Sequence, residues 1–377
     1  MATTIIALVL LQAWFFRASM PTPRYGFGIG VVADQVFLIG GRNSSGQLST
    51  VECYHPVPDS WSTGYAPMPT ARYYVGSATY GGKIYIIGGH RIGGGGVSDQ
   101  VERYDPASNS WETCPSMPTA REGLAAVVLN GRIYAIGGHM GSRYLRTVES
   151  FDPQGNTWRR EDSLQTARAG AGAVTLFDTI YVSAGGQYSP LSSTEYYFGS
   201  TWQAGISLGR SRIGPSAAPH HDYIYLCGGE VPSESTYTSI EVYDRTNRTW
   251  VFGERMNQAR SHHGSAVAGD YLYVFGGRYS STVLGTTEGL RLTGIEEESE
   301  PRLLPHDRTI ASVSRTSLSI RAPTPGYRCQ VIDAAGRMVF DRLITARTMK
   351  VRLSPGVYFV CLSHKTTRLI RKVIVVQ

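Results

Sequence analysis

Short runs that are apolar on both faces recur along the chain, as in Ile84-Tyr85-Ile86-Ile87 and Leu272-Tyr273-Val274-Phe275. A strand with one face in water alternates, so such runs predict strands sandwiched between neighbouring sheets. Each run ends in a glycine pair: Gly40-Gly41, Gly88-Gly89, Gly137-Gly138, Gly185-Gly186, Gly228-Gly229 and Gly276-Gly277. No stretch shows a heptad or a sustained helical period. In the third unit the pattern predicts strand A near 123–129, strand B at 132–136, strand C at 147–152 and strand D around Trp158, with Asp152-Pro-Gln-Gly-Asn156 as the C–D turn.

The runs belong to a repeat. Met-Pro-Thr-Ala-Arg stands at Met68–Arg72 and Met117–Arg121, with variants at Met20–Arg24, Leu164–Arg168, Leu208–Arg212 and Met256–Arg260. From Arg to the second glycine is 17 residues in five units and 18 in the fourth, which predicts a bulge or longer A–B turn near 177–183. A Glu follows in every unit, at 52, 102, 149, 195, 241 and 288, and a Trp closes the first five, at 61, 111, 158, 202 and 250. Six copies of about four short strands describe the blades of a propeller, an all-β class. Glycine at 43 and an aromatic share of 11% suit many strands joined by tight turns.

The sixth unit has no Trp after Glu288. Trp14 lies six residues before Met20, the step that separates Trp111 from Met117. Residues 12–18 are therefore expected to supply strand D of the last blade and close the ring. Residues 1–11 hold an apolar run, Ile5–Leu11, that reads as a signal or leader remnant. It is too short to span a membrane, and no transmembrane helix is expected.

Residues 294–310 read as a linker, acidic and then Pro-rich. Residues 311–377 read as a small antiparallel sandwich with hairpin turns at Asp333–Gly336 and Ser354–Gly356. This segment carries 12 basic against 2 acidic residues, whereas the rest has 24 against 27, so the net charge of +7 belongs to the tail. Scattered arginines without interleaved aromatics speak against nucleic acid. Five cysteines without CxxC spacing read as buried thiols, with Cys329 and Cys361 the one pair for a disulfide test.

The double glycine, tyrosine and tryptophan in six copies resemble the Kelch repeat over about residues 14–293. Val331–Arg337, Leu353–Val360 and Arg371–Val375 resemble the C-terminal sorting domains of the type IX secretion pathway. That resemblance implies a secreted or surface-attached bacterial protein and secretion machinery as a partner. The Pro-Asn-Pro opening of that family is absent.

In a four-stranded antiparallel meander the B–C and D–A connections share one end. Arg24, Arg72, Arg121, Arg168, Arg212 and Arg260 are thus expected to ring one mouth of the central channel. Arg42, His90, His139, Gln187, Glu230 and Arg278 would lie outside them, with Tyr25, Tyr73, Tyr74 and His262 as stacking contacts. The alternative for the six arginines is to tie strand starts to main-chain carbonyls of the neighbouring blade. In Kelch proteins this face holds acidic peptides, so the resemblance implies a protein, peptide or glycan ligand, an anionic one suiting the arginines. The second reading is a carbohydrate-active enzyme such as a sialic-acid mutarotase, for which Glu122 and Glu230 are the candidate acid–base residues. His220-His221 and His262-His263 fall at opposite ends of their blades, so no metal site is expected. No phosphate-cradling loop or nucleophile elbow is present, and no cofactor is expected.

Overall fold

The structure is a computed structural model. It describes residues 13–292 except 94, 187–188 and 233–234, and beyond them the strand segments 311–314, 317–321, 327–333, 338–344, 348–352, 356–364 and 367–375. The leader reading of residues 1–11 lies outside the described residues. The chain divides into two compact units, Met1–Thr293 and Gly294–Gln377.

The first unit contains six four-stranded antiparallel sheets. Blade 1 is Gly28–Val32, Gln35–Ile39, Val51–His55 and Ser60–Ser62, taken as strands A to D. Blade 2 is Gly76–Tyr80, Lys83–Ile87, Val101–Asp105 and Ser110–Cys114. Blade 3 is Ala125–Leu129, Arg132–Ile136, Val148–Asp152 and Thr157–Arg160. Blade 4 is Gly172–Leu176, Thr179–Ser183, Thr194–Phe198 and Thr201–Ala204. Blade 5 is Ser216–His220, Tyr223–Cys227, Ile240–Asp244 and Thr249–Phe252. Blade 6 is Gly264–Ala268, Tyr271–Phe275 and Thr287–Arg291, completed by Phe15–Arg17 from the start of the chain. The B strands are buried along nearly their whole length, which is why their sequences do not alternate.

The ring is closed by β-pairing and by a repeated indole contact. Phe15 to Arg17 pair with Gly289 to Thr287. Trp14 packs with Leu272, Leu290 and Met256 in one core cluster. Each Trp donates its indole N–H to a carbonyl of the segment leading into its own blade, at 2.8–3.0 Å: Trp61 to Ala18, Trp111 to Ala66, Trp158 to Pro115, Trp202 to Asp162, Trp250 to Ile206 and Trp14 to Glu254. Trp14 thus occupies the sixth equivalent place.

Blade 4 corrects the sequence reading. Its A–B turn is the same two-residue turn as elsewhere, at Phe177-Asp178, and holds no bulge. The second-glycine amide of each pair donates to the carbonyl of the next motif arginine, as Gly41 does to Arg72 and Gly89 to Arg121. In blade 4 that donor is Gly185, to Arg212, so the structural pair is Ala184-Gly185. The apparent extra residue arises because Ala184, at φ +64°, stands where the other blades have glycine. The position after the pair is therefore Gly186, not Gln187, which lies outside the described residues.

In the second unit, Ala311–Ser314, Ser317–Arg321 and Thr348–Arg352 form one antiparallel sheet. Met338–Ile344, Tyr327–Asp333, Gly356–His364 and Thr367–Val375 form another. The two expected turn sequences fall largely outside the described residues. Strands 348–352 and 356–364 are not a hairpin: they sit in different sheets. In the strand register Cys329 stands opposite Leu362 and Gln330 opposite Cys361, so the two cysteines are not directly paired. Cys53, Cys114 and Cys227 are buried free thiols.

Candidate functional site: the channel mouth

The six motif arginines do not present free guanidiniums at the mouth. All six are buried to within 1% of full enclosure. Each reaches the Glu on strand C of its own blade: Arg24 to Glu52 at 2.9 Å, Arg72 to Glu102 at 2.8 Å, Arg121 to Glu149 at 2.6 Å, Arg168 to Glu195 at 2.8 Å, Arg260 to Glu288 at 2.6 Å, and Arg212 to Glu241. Other donors cap carbonyls of the same blade, as Arg260 does at Gly276 and Thr286, while the Nε of Arg72, Arg121, Arg212 and Arg260 is buried without a partner. The Glu in turn takes the motif's Thr22, Thr70 and Thr119 hydroxyls, or the amides of 165–166, 209–210 and 257–258. Burial lowers the pKa of every one of these guanidiniums, and its Glu raises it in opposition. The motif is therefore a buried clamp that fixes each D–A connection to its blade. A guanidinium so enclosed exposes no donor that a ligand could reach.

What lies at the mouth begins one residue later. Tyr25, Tyr73, Glu122, Ala169, Ile213 and Ser261 form bridges with Arg42, His90, His139, Gly186, Glu230 and Arg278. One residue further, the backbone closes a ring around the axis. Gly26 N–H donates to His262, His262 to Gly214, Gly214 to Gly170, Gly170 to Gly123, Gly123 to Tyr74 and Tyr74 back to Gly26, all at 2.6–2.9 Å. All six residues have positive φ, between 52° and 65°. Four are glycine, as that conformation favours. Tyr74 and His262 are not.

These two rings lie across the mouth. A Cβ at Gly26 would come within 2.8 Å of the Tyr74 ring, and one at Gly214 within 2.8 Å of the His262 ring. Tyr74 and His262 contact each other with centroids 5.1 Å apart. Tyr73 and Tyr25 extend the floor, at 4.9 and 5.9 Å from Tyr74. Burial pushes the Tyr74 hydroxyl up to about 12. Burial, with Arg278 nearby, holds the His262 imidazole down to about 4, so it is neutral at pH 7.

Charged groups surround this floor. Arg42 lies over the Tyr73 ring at 5.3 Å and donates to its hydroxyl at 3.4 Å. Arg278 lies over Tyr25 at 5.8 Å and pairs with Glu230 at 2.5 Å; Ser261 donates to the other Glu230 oxygen at 2.8 Å. Glu122 stands between His90 and His139, at 3.1 and 3.8 Å. The mouth is thus a balanced set of charges around aromatics, not the concentrated positive ring expected from sequence. The rim rises on short hairpins in blades 1, 2, 3, 5 and 6, such as Arg42–Asn43 with Gly46–Gln47. In blade 4, Gly186 bridges Pro190 instead.

Tyr25, Tyr73, Arg42, His90, His139, Glu230, Arg278 and His262 are brought to one face, whereas the six clamp arginines are withdrawn from it. Glu122 and Tyr74 belong to the same site. The His pairs do not converge: His220-His221 sits in the A–B turn of blade 5 and His262-His263 at the mouth, where His263 bonds Ser216 Oγ at 2.7 Å.

Known proteins match this architecture. The KLHDC2/KLHL20/DRC7 Kelch-repeats domain profile matches residues 12–186, and the Kelch motif profile matches residues 211–257. Alpha-scruin of Limulus polyphemus is 31% identical over 126 residues, 30% of this chain and 13% of that protein. Kelch-like protein 36 of Bos taurus is 43% identical over 51 residues, 14% of this chain and 8% of that protein. These matches span only a small part of the relatives' length. A solved structure titled "Structure of YjhT" superposes with a TM-score of 0.63 at 19% identity, covering 74% of this chain and 96% of the other, a likeness of fold alone. On its six clamped blades and these matches, the first unit of the chain is a six-bladed β-propeller with Kelch-repeat domains.

Proposed function

We propose that this propeller is a binding module that holds a protein or peptide segment on the mouth face. The observation that carries the reading is the pair Tyr74 and His262. Four blades use glycine at this position, so the ring of backbone bonds needs no side chain there. Two blades instead hold large rings in a conformation that costs about 1–2 kcal/mol each. Strain of that kind persists where a surface uses it. The rings form an aromatic floor, which suits anchor residues of a peptide. Arg42 and the Glu230–Arg278 pair supply polar contacts at its edge, and Arg42 suits an acidic residue of the ligand.

The enzyme reading loses its support. It needed an arginine-lined pocket, and those arginines are committed to their own glutamates. Glu230 and Glu122 are likewise engaged by Arg278 and the two histidines.

Export is a separate proposal. It rests on the resemblance of residues 331–375 to type IX sorting domains, with a sandwich fold for that unit and a secreted or surface location for the whole. Mass spectrometry of the protein from its producing cell tests it through the masses of the two ends. The binding proposal is tested by selecting a displayed random-peptide library on the immobilised propeller, with a glycan array in parallel. Enriched peptides should carry an aromatic or apolar anchor beside Asp or Glu, and Arg42→Ala should weaken them about tenfold. Selection of glycans alone, or indifference to Arg42→Ala, contradicts it.

A further inference from the structure

The opposite face of the propeller has a cleft of about 610 Å³ where blade 6 meets blade 1. It is formed by the A–B turns of both blades, the C–D turn of blade 1 and the closing N-terminal strand. Its lining includes Arg17, Asp34, Val57, Asp270, Tyr271 and Tyr273. The size is that of a small-molecule site.

Arg17 is the chemically open group. Its guanidinium stacks over Phe15 at 4.4 Å and Tyr271 at 5.1 Å. Its Nε is buried against Gly289 and is not reachable, so only the Nη groups can meet a ligand. Its nearest carboxylate, Asp59, accepts from the Ala18 amide and the Tyr54 hydroxyl through Oδ1 and holds Oδ2 3.9 Å from Arg17 Nη1. The guanidinium also bonds Tyr273, and its Nη edge, on a side chain 20% exposed, is the part a carboxylate could meet. At the rim, Asp34 and Asp270 are exposed acids suited to a cation. Asp34 sits at φ +59° after Ala33 at φ +49°, in the turn that blade 2 builds from Gly81-Gly82. Blade 1 thus keeps a carboxylate at a place where the backbone favours glycine.

We infer that this seam cleft binds a small zwitterion, its carboxylate on Arg17, its ammonium at Asp34 and Asp270, and its apolar body on Tyr271 and Val57. A free amino acid is the simplest molecule of that class. The occupant would touch the N-terminal strand and both blades it joins, so binding also strengthens ring closure. The site is independent of the channel mouth.

Three probes separate the elements: phenylalanine, N-acetylphenylalanine, which lacks the ammonium, and phenethylamine, which lacks the carboxylate. Calorimetry and melting are read on the full chain. Phenylalanine is expected to bind with a Kd on the order of 1 mM and to raise the melting temperature, with each truncated probe about tenfold weaker or worse. Asp34→Asn, on an exposed turn, should weaken phenylalanine about tenfold, and Arg17→Gln should abolish its binding. Because Arg17 also supports the seam, Arg17→Lys is the companion variant, expected to retain the fold and weak binding. The inference is overturned if phenylalanine gives no signal at roughly 10 mM, if N-acetylphenylalanine binds as well, or if Asp34→Asn binds like wild type.

Discussion

Replacing Arg121 tests whether the repeated arginine is a clamp or a receptor. Arg121 is fully buried; Nη1 bonds Glu149 at 2.6 Å and Thr119 O at 3.0 Å, and Nη2 bonds Ala135 O at 3.0 Å. In Arg121→Met the aliphatic stem survives, but Glu149, 3% exposed, is left with the Thr119 hydroxyl alone. Breaking a buried pair on one side costs about 3–5 kcal/mol, a large part of the 5–15 kcal/mol that holds a typical domain folded. Replacing both partners, as Arg121→Met with Glu149→Leu, removes the uncompensated charge and should recover much of that loss. Urea unfolding of the wild type, both single variants and the double variant gives the cycle from shifts in midpoint at constant slope. A loss below about 1 kcal/mol for Arg121→Met, together with lost ligand binding, would refute the clamp and return the arginine to the mouth.

Other outcomes follow from the same geometry. Ala184→Gly should stabilise the protein by about 0.5–1 kcal/mol, since φ +64° is unfavourable for alanine. Gly88→Ala should cost more than about 2 kcal/mol, because its Cβ would lie 2.5 Å from Arg121 O at φ +62°; both are read by thermal melting. Trp14→Ala should cost about 3–5 kcal/mol by emptying the closing core contact, and an unchanged melting temperature would show that the N-terminal strand does not hold the ring. Acidification should weaken the fold: His262 titrates near 4 in the folded chain and near 6.5 unfolded, so the unfolded state takes up protons first. Stability should fall as pH drops through that window, by on the order of 3 kcal/mol at most from this group, and His262→Gly should flatten the profile measured by urea titration at several pH values.

Much of the fold was legible because its causes are local and repeated. The offset of Trp14 from Met20 disclosed the closing strand, since an indole must sit at the same step from each motif. Which way the arginines face was harder, because spacing places a Cα and not a guanidinium. The signal was present in the Glu that recurs with every Arg: a charge repeated with its opposite reads as a buried pair. Gln187 was misplaced because alignment on Gly-Gly overlooked that alanine can fill the first place at a cost in strain. Tyr74 and His262 were expected as stacking contacts, but their backbone role shows only on comparing the second residue after each arginine, where Gly26, Gly123, Gly170 and Gly214 give the rule that those two break.

The most direct measurement is the double variant Tyr74→Gly, His262→Gly, scored for both melting temperature and capture of library-selected peptides. It gives blades 2 and 6 the glycine of the other four, so relief of backbone strain offsets the lost ring contacts and stability should stay within about 1 kcal/mol of wild type, while peptide capture is lost. Retained capture, or a chain that no longer folds, would contradict the assignment of these two residues to recognition.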